Sequence, residues 1–214
     1  MVEQLWDQAH AGIYIDGDAD FFRAASSDLN RIRGFASSEG ALDLLGELSR
    51  KCLCIDQDED ADRPAAGYRV VIQQARDLVD TLQDPLDGGD DIPEWPSSTL
   101  FRRQGTAAKS RVYYLPGDEV TYTVFFGIAT PPYIGLAHEL IHALHAVNGE
   151  LRDGRSAEDP RRFFLHEEAR TLGIGIYADV PISENSFRQR DGLQQREHYC
   201  VAHDCDELAA TDLD

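Results

Sequence analysis

"PPYIGLAHELIHALHAVNGE", Pro131 to Glu150, decides how the rest of the chain is read. Its two prolines suit the start of a helix, where missing N–H groups cost nothing. Asn148-Gly149 suits the end. Between them Ala137, Leu140, Ile141, Leu144 and Val147 fall on one helical stripe. His138 and His142 lie beside that stripe, one above the other, about 6 Å apart along the axis. Two imidazoles stacked in this way can converge on one ion at roughly 2.0–2.1 Å each. Glu139 is turned by about 100° from His138, so its carboxylate reaches a metal-bound water without being a ligand. Zinc lowers the pKa of its water towards about 7, and the carboxylate takes the proton as the water attacks a carbonyl. The pattern therefore predicts a zinc hydrolase with Glu139 as general base.

The competing reading is an amphipathic helix with two surface histidines. The flanks weigh against it. His138, Glu139, His142 and His145 stand in an otherwise apolar segment, Ile134 to Val147, and ionisable groups are rarely buried without partners. The preceding "VTYTVFF", 120–126, offers a strand to border a cleft and pair with an extended peptide.

Two histidines leave zinc short of a protein ligand. A metzincin has Gly three residues after the second histidine and His three further on; here those places hold His145 and Asn148, which excludes that class. His145 lies about 10 Å beyond His138 along the axis, too far to share a tetrahedral site with both. The remaining source is an acidic residue from a second helix. "DPRRFFLHEEARTLGIG", 159–175, fits, with Asp159-Pro160 at its start and Gly173 at its stop. Leu165, Ala169 and Leu172 define its inward face. Glu168 falls on that face, and Glu167 turns towards Arg170 and solvent. Glu168 is the expected third ligand, with Glu167 as the alternative.

The chain has 214 residues and a formal charge of −19. That repulsion disfavours nucleic acid and anionic membrane surfaces. Its plain consequence is solubility; a sharper one is attraction to a basic substrate. No apolar run approaches the roughly 18 residues of a membrane span, and the N-terminus shows no ordinary signal peptide. The four cysteines are too few for a disulfide scaffold. Cys52 and Cys54 read as small hydrophobes on one face of a strand, "CLCID". His198, Cys200, His203 and Cys205 match no standard zinc spacing.

Residues 12–16 read as a strand, 19–36 and 38–51 as helices, and 68 onwards as a strand passing into a helix. "RVYYLPGDEVTYTVFFGI" reads as two strands joined at Pro116-Gly117. Acidic loops are expected near 56–63 and 84–98, and a short solvated tail at the C-terminus. One continuous domain over 1–214 is expected.

In these residues the chain resembles the NleD-like zinc metallopeptidases of bacterial type III effectors, whose domain also forms the toxin tip of larger secreted proteins. "GLAHELIHALHAVNG" at 135–149, "EEARTLGIG" at 167–175 and "ISENSFRQRDGLQQREHY" at 182–199 carry the resemblance. "GIYIDGDADFF" and "GALDLLGEL" in the first half resemble the family more loosely. The resemblance implies an α+β zincin-like fold with a small mixed or antiparallel sheet, one catalytic Zn2+, and cleavage of a protein substrate in the cytosol of a target cell. It also implies secretion or translocation by a specialised route. Its site is similar to that of clostridial neurotoxin light chains, where an Arg-x-x-Tyr pair assists the transition state. Arg196 and Tyr199 match that spacing. Glu184, Asn185 and Arg188 match the third block and are expected to support either the site or the fold. A monomer without nucleic-acid or membrane partners follows, with a secretion chaperone or cognate inhibitor as candidate companions. The rival is a zinc-binding interaction module without catalysis.

Overall fold

A computed structural model of the chain describes residues 2–37, 42–54, 69–74, 109–116, 128, 130–148 and 160–197. Among them four strands form one sheet: β1 (Val2–Leu5), β2 (Ile13–Gly17), β3 (Arg69–Gln74) and β4 (Lys109–Tyr114). Their order is β1-β2-β3-β4. The β1–β2 pair is antiparallel, and β2–β3 and β3–β4 are parallel. The sheet is thus mixed. Ile15 pairs with Ile72, and Ile72 with Val112, so three apolar side chains meet across it. All three are buried in the main core. β1 was not anticipated: "VEQL" alternates too weakly to announce a strand and is held by its register on β2.

The first helix, α1 (Ala19–Gly34), starts where Asp18 accepts a hydrogen bond from the Phe21 N–H at 2.8 Å. Phe21, Ala25, Leu29 and Ile32 are its buried face, as their spacing predicts. Helix α2 (Leu44–Cys54) starts later than its sequence suggested, because Asp43 Oδ1 accepts from the Gly46 N–H at 3.1 Å. It also runs later. Cys52 and Cys54 lie in its last turn, which corrects the expected "CLCID" strand: the leucine periodicity simply continues through them. Cys52 is buried, as expected of a small hydrophobe.

The helix α3 (Pro132–Val147) is the one predicted from the opening stretch. It packs against α1, α2, β4 and the two helices that follow, α4 (Pro160–Leu172) and α5 (Glu184–Arg190). Tyr133, Ile134, Leu136, Ala137, Leu140, Ile141, Ala143 and Leu144 are buried, so the apolar surface wraps most of the helix rather than forming a stripe. Glu139 stands exposed. Helix α4 stops at Gly173, whose φ of 75° favours glycine. A Cβ there would also lie 2.4 Å from Ser183 Oγ. This stop turns the chain into the loop that leads to α5, whose Ser183 and Ser186 form a reciprocal cap. The second strand expected after Pro116-Gly117, the helix expected after β3, the acidic loops near 56–63 and 84–98, and the tail lie outside the described residues.

Candidate metal centre

Helices α3 and α4 bring two histidines and a carboxylate to one point. His138 Nε2 and His142 Nε2 are 3.1 Å apart. Glu168 Oε2 is 3.2 Å from the first and Glu168 Oε1 is 3.3 Å from the second. Atoms at the corners of a tetrahedron with roughly 2.0–2.1 Å bonds are about 3.3–3.4 Å apart. Two further observations bear on the fit. Glu168 Oε2 is buried and forms no hydrogen bond, despite its closeness to His138. Two imidazole nitrogens face each other, which requires a proton or a cation between them. The donor set therefore fits a small divalent cation. His145 Nδ1 points elsewhere, to Glu167, and is not part of this set.

Both ring orientations are held from behind. His138 Nδ1 lies 2.8 Å from Glu184 Oε2 on α5. His142 Nδ1 lies 2.9 Å from Glu167 Oε1 and 3.2 Å from Thr171 Oγ1 on α4. An ionised carboxylate only accepts, so each Nδ1 carries a hydrogen, and Nε2 is the nitrogen left to serve a cation at the common point. Glu167 thus does not turn to solvent as its position suggested. Residues 167 and 168 are about 100° apart on the helix and straddle the contact with α3, one on each side of the His142 ring. The exposed-face reading failed because three polar groups of α3 and α4, His142, His145 and Thr171, wait on that side.

The electrostatics match. Burial works against ionisation of Glu168, but His142 and His138 overcome it and hold its carboxyl at about 2. Glu184 is likewise at about 2, with burial opposed by His138 and then by Arg196 and Arg188. Burial disfavours a charged His138, yet the neighbouring carboxylates of Glu168 and Glu184 raise it to about 9. His142 is raised well above its ordinary value by Glu168 and Glu167 against the same burial. Three buried or nearly buried carboxylates thus give this pocket a strong preference for positive charge.

Glu184 is also the hub of a wider network. Its Oε1 accepts from Arg188 Nε at 2.6 Å, and Arg188 is fully buried. Its Oε2 is 3.3 Å from Arg196 Nη1. Asn185 bonds both backbone groups of Arg196, each at 2.8 Å. Arg196 is therefore tied to the site by its guanidinium and by its backbone. Tyr199 lies outside the described residues. The family resemblance had marked Glu184, Asn185 and Arg188 as supporting or structural residues; which atom each one holds was not legible.

The family model Peptidase M91, described as "Effector protein", matches residues 9–199. The chain belongs to this family. It is thus an effector-type peptidase, and an M91 peptidase acts on proteins. The match covers the sheet from β2, all five helices described above and the whole donor set. No curated protein and no solved structure gives a significant match. Among the described residues, no helix is long and apolar enough to cross a membrane.

Proposed function

We propose that this M91 chain is a zinc-dependent endopeptidase of one catalytic domain, translocated into a target cell where it cleaves proteins. His138, His142 and Glu168 would hold the Zn2+, which when bound supplies Lewis-acid polarisation of water and of the scissile carbonyl. The observation that supports this most is the meeting of two Nε2 atoms with a buried carboxylate oxygen that has no hydrogen-bond partner.

The chain's own residues do the rest. Glu139, on the same helix turn as His138 but exposed, takes the proton of the attacking water and returns it to the leaving amine. Glu184 and Glu167 hold the two rings with Nε2 forward. Arg196 and Tyr199 take up negative charge as it grows on the carbonyl oxygen. Arg196 is supported in this by Asn185 and Glu184, which fix where it stands.

A structural zinc site takes four protein ligands. Among the described residues two such groups converge, His138, His142 and Glu168, and His142, His145 and Glu167; each has three members, which favours the catalytic reading over the interaction module. Elemental analysis of the purified protein tests the proposal: about one zinc per chain is expected, and its loss in His138→Ala together with proteolysis. Full proteolysis by metal-free His138→Ala protein would overturn it.

A further inference from the structure

His145 is a buried titratable residue that the reaction does not use. It is 3% exposed, and its Nδ1 lies 2.7 Å from Glu167 Oε1. The same oxygen is 2.9 Å from His142 Nδ1 and 3.3 Å from Thr171 Oγ1. One carboxylate oxygen thus gathers three donors from α3 and α4. Its place on an oxygen that His142 already shares calls for a physical reason.

Glu167 and Glu168 are chemically identical and adjacent in the chain. Both approach the His142 ring, Glu168 at Nε2 and Glu167 at Nδ1. A cation at the common point attracts either carboxylate, and capture of Glu167 there would take away the acceptor behind His142. We propose that His145 is the positioning residue that allots the two carboxylates. By donating Nδ1–H to Glu167 Oε1 it keeps that carboxylate behind His142, so that Glu168 alone serves the cation and His142 presents Nε2. This rests on the metal-site reading above.

The balance of donors follows from elementary chemistry. Ionised Glu167 accepts only, so His142 and His145 must each present an N–H to it. His142 then carries Nδ1–H, which leaves Nε2, the nitrogen that faces His138 and Glu168, as the one that can serve the cation. Loss of His145 removes one of the donors that hold Glu167 in place. Groups behind a metal-bound histidine typically matter by about 10–100-fold in metal affinity.

The test uses the full chain loaded with Zn2+, and separately with Co2+, whose visible bands report coordination number and ligand set. His145→Leu removes the donor with little change in size, and His145→Asn keeps an amide N–H close to the Nδ1 position. Folding is checked by circular dichroism; if the leucine variant does not fold, His145→Met replaces it. The zinc dissociation constant, from competition with a chelator, should rise about 10–100-fold in His145→Leu. The Co2+ bands should shift, and His145→Asn should recover most of both. In Glu167→Gln protein the leucine change should add almost nothing, because the two residues act as one unit. A folded His145→Leu (or Met) variant with the wild-type dissociation constant and Co2+ spectrum would overturn the proposal. So would an equal weakening with and without Glu167. A wild type that binds neither ion would instead overturn the metal-site reading, and this inference with it.

Discussion

Glu184 Oε2 stands 2.8 Å from His138 Nδ1, so a residue 46 positions downstream sets the face that this histidine shows to Glu168. Arg188 and Arg196 hold the same carboxylate from the other side. Glu184→Gln keeps the shape and removes the charge. We expect zinc affinity to fall by roughly 10–100-fold while the fold persists. Chelator competition measures this, and an unchanged dissociation constant would detach Glu184 from the site.

Glu168→Ala should cost more zinc affinity than Glu167→Ala. The first removes the oxygen that has no other partner. The second removes the acceptor behind His142 and should cost about 10–100-fold. Equal affinities, or the reverse order, would show that the two carboxylates have exchanged roles. Separate titrations of the two variants decide it.

The opening stretch and the acidic helix were legible because helical spacing is local. His138, Glu139 and His142 sit where three- and four-residue intervals put them, and α3 and α4 span the expected residues. The choice of Glu168 for the inner face was also legible, since Ala169 and Leu172 beside it are buried. What failed was the neighbour. Whether Glu167 meets solvent depends on how α4 rotates against α3, and that is set by His145 and Thr171, which no periodicity weighs. The strand placed at "CLCID" failed for a different reason. Short apolar runs fit either period, and the helix already under way from Leu44 won. The short β1 was invisible because its partner, not its composition, makes it a strand.

Cys52 gives a prediction about pH. Burial pushes its thiol up to about 12. A thiol raised in the folded state contributes stability below its unfolded value, near 9, and that contribution is lost as pH rises towards 12. At pH 8 the thiolate, which is the reactive form, is scarce. Alkylation of Cys52 in folded protein should be on the order of 10³ slower than that of a free thiol. Timed labelling followed by peptide mass mapping reads this, and labelling at the rate of the unfolded chain would contradict the burial.

The most direct measurement of the central claim compares wild type with Glu139→Gln on target-cell lysate, with new protein N-termini identified by mass spectrometry. Glu139 lies on the active helix and outside the donor set of His138, His142 and Glu168. The substitution should therefore leave one zinc bound and the fold intact while turnover falls by about 10²–10⁴. The account predicts a defined group of new N-termini with wild type that Glu139→Gln does not produce. The same N-termini at the same rate from both proteins would contradict it.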